Sequence, residues 1–320
     1  MPSVRSIFSG LVALAPLAAA APAGVYVRQE PSAAAMMMSA AAATPSAAAA
    51  AAPAAAGGLT DVDILQFALT AEHLESTFYK MGFAKFPASD FQALGLTDGQ
   101  IKTLMGVGQT EAVHVSTLMS AIAGAGAKPV EPCDYNFDAA LTDAKTMVAT
   151  ARVLEAVGVS AYLGAAPLVN SSDILTAAAT IVTVEARHQA AIRIASGAEP
   201  VPAAFDTPLQ PRAVFTLAAQ FIKSCPQGSN LNIQAFPSIA LQNPDQAKVG
   251  SNLKLADAAN PGGAQFCAFV APGGNQFSQI TDGNCQVPQN LSGEVYMMIT
   301  KSKSVADGEI LAGPSVLQPS

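Results

Sequence analysis

Two short stretches, "QTEAVHVSTL" at 109–118 and "TVEARHQAAI" at 183–192, each set a glutamate three residues before a histidine in otherwise apolar surroundings. At about 100° per residue, positions i and i+3 of a helix share one face, so Glu111 with His114 and Glu185 with His188 each form a paired donor set. Two further stretches, "LTAEHLESTFY" and "VLEAVGVSAYLGA", supply Glu72 and Glu155. In chain order the pattern is Glu, Glu-x-x-His, Glu, Glu-x-x-His. Projected inward from four helices, that is the ligand set of a dinuclear carboxylate metal site. Carboxylate oxygens with imidazole nitrogens suit iron or manganese, so two such ions are the expected cofactor, with glutamates able to bridge them.

The neighbours of these residues divide into roles. Glu75, one turn beyond Glu72, is expected as an outer or surface group. Tyr79 and Tyr162 each follow a ligand glutamate by seven residues, close to two turns. They share its face, and can hydrogen-bond a ligand carboxylate, serve as radical sites or pack as ordinary buried tyrosines. His73 points about 100° away from Glu72 and reads as a packing or surface histidine. Arg152 and Arg187 lie off the ligand axis and are expected to face water. Four unpaired carboxylates in a helical core would cost several kcal/mol each, which rivals a domain's net stability of about 5–15 kcal/mol. Metal, shared protons or cationic partners must offset that cost.

Four helices must position these groups. Apolar residues at i, i+3, i+4 and i+7 mark segments at 60–81, 97–124, 138–166 and 173–196. Thr60 with Asp63, Thr97 with Gln100, and Ser172 supply start signals, while "GAGAKP", Pro167 and Gly197 supply stops. A shorter fifth helix is expected at 211–224, with proline in its first turn. Beyond Cys225 come short strand-forming runs separated by turn residues: "NIQAFPSIAL", "NLKLAD", "QFCAFVA", "QFSQIT", "GEVYMMIT" and "ILAGPSVL". The expected fold is mainly α: an up-down four-helix bundle plus a short helix over 59–225, then a small antiparallel β-sandwich-like module over 226–320.

The rest of the 320-residue chain bears on address. Its opening, "MPSVRSIFSGLVALAPLAAAAPAG", predicts a secretory signal peptide over 1–20, and the alanine-, proline- and serine-rich run over 21–58 reads as a disordered spacer. Four cysteines, Cys133, Cys225, Cys267 and Cys285, are an even number suited to two disulfides in an oxidising compartment. Cys267 with Cys285 would staple two strands and Cys133 could reach Cys225, although sequence leaves three pairings open. Asn170 and Asn290 begin N-x-S glycosylation sequons. A net charge of -7 without a basic run argues against nucleic acid or anionic membrane as partners. No stretch after the signal has the uncharged apolar length of a membrane span. The expected location is extracellular, with cell-wall association open.

Taken together, "FALTAEHLESTFYKMGF", "GQTEAVHVSTL" with the following "PCDYNF", "VLEAVGVSAYLGAA" and "VEARHQAAIR" resemble the secreted ferritin-like proteins of fungi. These include stress-response and late-sexual-development types, with plant desiccation-related proteins more distant. The resemblance covers about 58–225 and implies a ferritin-like bundle expressed in stress or development. Its metal motif falls on Glu72, Glu111, His114, Glu155, Glu185 and His188. A signal peptide, disulfides and an appended β module disfavour a closed ferritin cage; the oligomeric state is otherwise open. Two function classes follow. One is a di-metal protein with ferroxidase- or oxidase-like activity whose partners are metal ions. The other is a non-catalytic structural or interaction protein of the cell wall or extracellular matrix. Bound metal discriminates between them.

Overall fold

The computed structural model describes residues 59–229, 231, 233–243, 248–256 and 261–317. The expected leader and spacer lie outside them. Six α-helices are present among the described residues: α1 (Asp61–Lys85), α2 (Ala88–Ala93), α3 (Asp98–Gly124), α4 (Ala144–Ala165), α5 (Ser172–Ala195) and α6 (Pro211–Ala219). The helix starts follow from capping. Thr60 and Asp63 exchange side-chain and backbone hydrogen bonds at the head of α1, and Thr97 and Gln100 do so at α3. α1 packs on α3 and α4 on α5; the two pairs meet through α1 with α4 and α3 with α5.

α1 runs on to Lys85 and does not stop at 81; three further boundaries and one added helix differ from expectation for local reasons. α4 begins at 144, not 138, because the Asp143 side chain accepts from the Thr146 backbone N–H at 2.7 Å. The preceding residues instead turn on the Phe137 carbonyl and bury Phe137 and Leu141. α5 is capped by Ser171, whose hydroxyl accepts from Ile174 N, and not by Ser172. The short α2 follows Pro87 and places Phe91 in the core. The last helix stops at 219: Ile222–Ser224 (β2) pairs antiparallel with Asp134–Tyr135 (β1), next to a disulfide between Cys133 and Cys225. That bridge draws the chain alongside β1, where strand bonds replace further helical turns.

The C-terminal strands are β3 (Asn252–Lys254), β4 (Phe266–Ala271), β5 (Gly274–Gln279), β6 (Asn284–Gln286), β7 (Val295–Thr300) and β8 (Ile310–Leu317). They form an antiparallel sheet in the order β5-β4-β7-β8 and a β3-β6 ribbon. Alternation along β4 and β7 sends Ala268, Val270, Tyr296 and Met298 towards Ile64, Phe67, Val157 and Leu217 of the helices. The opposite face sends Cys267, Phe269, Met297 and Ile299 onto Leu253, Cys285 and Val287, with Cys267 and Cys285 disulfide-bonded. Every residue of β7 is therefore buried. Residues 233–240, expected as a strand, are not one. Pro237 lacks an N–H for a ladder, Phe236 N donates to Thr216 Oγ1, and the Pro237 carbonyl accepts from Gly313 N. The strand over 284–286 was not expected.

Tyr296 fastens the sheet to α4: its hydroxyl lies 2.8 Å from Ser160 Oγ and 3.2 Å from the Ala156 carbonyl. Asn170 and Asn290 are exposed. Ala144–Leu168 is the one helix among the described residues long and apolar enough to cross a membrane, and most of it is buried inside the protein.

The tightest crossing on α4 is at Gly164, where an added Cβ would sit 1.8 Å from the Leu209 carbonyl oxygen, while Leu209 N donates to Ser160 O. Gly164→Ala should therefore lower unfolding free energy by about 2 kcal/mol or more, as overpacking against rigid backbone does. Gly106→Ala, within α3 with no neighbour inside 4 Å, should raise it by roughly 0.5–1 kcal/mol. Denaturant unfolding of both variants checks the pair; equal effects would contradict the crossing.

Candidate metal centre

The bundle brings all six sequence-selected donors together. Glu72 on α1, Glu111 and His114 on α3, Glu155 on α4, and Glu185 and His188 on α5 are each at most 7% exposed. They fall into two groups, Glu72–Glu111–His114–Glu185 and Glu111–Glu155–Glu185–His188, within each of which the donor atoms lie inside 4.8 Å of one another. Glu111 and Glu185 belong to both. His114 Nδ1 is 2.9 Å from Glu185 Oε1, 3.2 Å from Glu111 Oε2 and 3.4 Å from Glu72 Oε2. His188 Nδ1 is 2.8 Å from Glu111 Oε1, 3.3 Å from Glu155 Oε2 and 3.8 Å from Glu185 Oε2. The two rings are 5.9 Å apart, stacked across the shared glutamates.

His114 Nδ1 and Glu111 Oε2 form a hydrogen bond at 3.2 Å, but most of the other close contacts do not have hydrogen-bond angles. Glu72 Oε2, Glu111 Oε1, Glu155 Oε2, both Glu185 oxygens and His188 Nδ1 are buried without a hydrogen-bond partner. Each such atom costs about 1–3 kcal/mol if nothing satisfies it. Lone pairs from four helices that converge without addressing each other fit a cation held between carboxylate and imidazole donors. This cluster could hold metal.

Thr110 engages the outer nitrogen of one imidazole. Its hydroxyl lies 2.8 Å from the Val107 carbonyl, 3.1 Å from the Gly106 carbonyl and 2.8 Å from His188 Nε2. With the hydroxyl hydrogen on a carbonyl, the contact to His188 uses Nε2–H and leaves Nδ1 as the donor atom facing the glutamates. The tyrosines act crosswise. Tyr79 on α1 donates to Glu155 Oε1 on α4, and Tyr162 on α4 donates to Glu72 Oε1 on α1 at 2.5 Å. Each therefore holds the glutamate of the opposite helix, leaving the second oxygen of that carboxylate turned into the cluster.

Of the two places expected for Glu75, outside the ligands or at the surface, the structure shows the first: it is buried and belongs to neither donor group. It reaches the cluster across Gly158, where an added Cβ would lie 3.1 Å from Glu75 Oε1 and 3.2 Å from Glu185 Oε2. His73 packs as anticipated, 3.1 Å from the Val130 carbonyl through Nε2. Arg187 is exposed, but Arg152 is half-buried with Nε and Nη2 unpartnered, in the field of Arg193 and Glu294. Two contributors escaped the sequence reading. Gly158, three residues after Glu155 inside a helix, was readable as a costly residue on the ligand face. Thr110 carried no distinguishing signal.

In the metal-free protein, burial has the largest effect on the charge of these groups, and the crowding of carboxylates and imidazoles comes second. Burial, then Glu185, pushes Glu72 well above the usual carboxylate range, and Glu75 likewise. Burial pushes Glu155 up to about 8 against the opposing pull of His188. Burial also disfavours the Glu111 charge, but bonds to His114 and His188 outweigh it and draw Glu111 down to about 2. Burial opposes charge on both imidazoles, yet the surrounding carboxylates push each up to about 12. A bound cation takes the place of the Nδ1 proton; the Thr110 bond to Nε2–H is compatible with either form.

Residues 60–198 match the family model of the ferritin-like domain, in agreement with the bundle and its cluster. The chain is also 27% identical over 185 residues to Protein rds1 of Schizosaccharomyces pombe, across 58% of this chain and 45% of that relative. The chain thus spans less than half of the relative's length.

The proton balance gives a sign. Between about pH 5 and pH 8, Glu155, Glu72, Glu75 and both histidines retain protons in the folded state that the unfolded chain has released, so metal-free stability must fall as pH rises. Glu111 opposes this only below its ordinary value of 4.5. Urea midpoints of chelator-treated protein should decline across that interval, and a flat or rising profile would contradict the assignment.

Proposed function

We propose that this chain is a secreted ferritin-like protein that holds two iron or manganese ions and oxidises ferrous iron or consumes an oxidant at that centre. The observation that carries the reading is the sharing of Glu111 and Glu185 by two histidine-centred donor groups whose lone pairs are otherwise unpartnered. Glu72 with His114 would hold one ion and Glu155 with His188 the other, with Glu111 and Glu185 bridging. Bound there, such ions supply Lewis acidity and one-electron redox capacity.

The chain's own residues set the conditions for that chemistry. Thr110 keeps the His188 Nδ1 lone pair directed inward. Tyr79 and Tyr162 hold the outer oxygens of Glu155 and Glu72, so those carboxylates keep one orientation. Leu65, Leu69, Leu118 and Ile181 pack together between α1, α3 and α5 as an apolar cluster. Two disulfides and the opening sequence support export, and the exposed sequons at Asn170 and Asn290 accord with it. The resemblance to fungal stress-response and sexual-development proteins supports a role under those conditions at the cell surface.

Anaerobic titration of metal-free protein with ferrous or manganous ion should saturate near two ions per chain, whereas the Glu111→Ala, His188→Ala double variant should take up less than one. Failure of the wild-type chain to bind either ion would overturn the reading and return the function to a non-catalytic matrix role. Thr110→Val should weaken one of the two ions by about 10- to 100-fold and leave the other. Equal weakening of both would contradict the tautomer assignment.

A further inference from the structure

Beside the cluster lies a pocket of 240 Å³ between α1, α4, α6 and β8. Its walls are aliphatic: Leu74, Val157, Val214, Leu217 and Val316. Its rim carries the exposed Gln220 and Ser238, and its lining includes the buried Glu75 and Gly158. A largely apolar pocket with a few polar groups, here Glu75, Gln220, Ser238 and Ser315, is the usual form of a small-molecule site. This one has a particular floor. Glu75 Oε1 and Glu185 Oε2 lie within 3.1 and 3.2 Å of the same point above Gly158, so the polar end of the pocket adjoins a glutamate common to both donor groups.

Size and charge narrow the occupant. An apolar cavity of roughly 150 Å³ accepts benzene, so this volume suits a somewhat larger molecule, below drug size. The floor is bordered by the carboxyl oxygens of Glu75 and Glu185, which disfavours an anionic head group in the metal-free protein. A neutral hydroxyl can hydrogen-bond the Glu75 carboxyl while its hydrocarbon lies along the valine and leucine walls. We propose that this pocket binds a neutral apolar alcohol of about six to eight carbons, its hydroxyl against the Glu75 carboxylate and its chain towards Gln220. Binding itself needs no metal. That the alcohol is thereby presented to the paired ions rests on the function proposed above.

The test is ligand-observed NMR on the full chain with n-hexanol, hexanoate as the comparison, in metal-free and manganous-loaded protein. Hexanol should bind saturably in both forms, and in the metal-free form hexanoate should bind at least tenfold more weakly. In the loaded protein the hydroxymethyl protons should broaden more than the terminal methyl. Ala218→Phe, from α6, and Val316→Phe, from β8, narrow the pocket from sides away from the ligands. Each natively folded variant, by circular dichroism, should lose hexanol affinity at least tenfold while its metal content stays unchanged. Absence of hexanol binding to wild-type protein, or unchanged binding in both folded variants, would overturn the pocket, as would preferential broadening of the methyl. A chain that binds hexanol but no metal would support the pocket and defeat the dinuclear reading, so the two failures are separable.

Discussion

Burying carboxylates is the constraint on which the rest of this structure depends. Five glutamates enter the interior of one small bundle, where each charge carries a penalty of several kcal/mol unless something offsets it. The two histidines satisfy part of this, and the two tyrosines satisfy one oxygen each on Glu72 and Glu155. What remains is a set of oxygens and one imidazole nitrogen with no hydrogen-bond partner. A core that concentrates such atoms around two shared glutamates could hold cations, and it costs the metal-free fold stability.

The same constraint explains the small residues near the site. Gly158 lies where a side chain would push Glu75 and Glu185 apart, and Gly108 lies where a Cβ would press on Tyr79 at 2.9 Å. Glycine within a helix costs roughly 0.5–1 kcal/mol relative to alanine. Here it allows a carboxylate and a tyrosine to occupy the space. The sheet contributes from outside: Tyr296 bonds to α4 one turn beyond Glu155, so the helix that presents Glu155 is held by backbone and hydroxyl contacts from a different part of the chain.

The donor set was legible because helical periodicity converts sequence spacing directly into a shared face. Glutamate and histidine three apart need no tertiary information to be paired, and both pairs fall on the predicted helices. The crosswise tyrosines were half legible: the seven-residue spacing placed Tyr79 and Tyr162 on the correct faces, but their partners lie on the facing helix. Sequence left Glu75 open between a place behind the ligands and the surface, because it does not reveal that Gly158 opens room for it. The misplaced start of α4 and the early stop of α6 share a cause. Asp143 and the Cys133–Cys225 bridge act through capping and cross-linking, which override apolar periodicity. The non-strand at 233–240 has composition suited to a strand, yet its backbone groups are bound by Thr216 and Gly313.

The most direct test of the central claim is anomalous diffraction from crystals of the protein purified without chelators, recorded on either side of the iron and manganese edges. The account predicts two metal peaks per chain, one beside His114 and one beside His188, both contacting Glu111 and Glu185. A single peak, or none after soaking with ferrous and manganous salts, would contradict it.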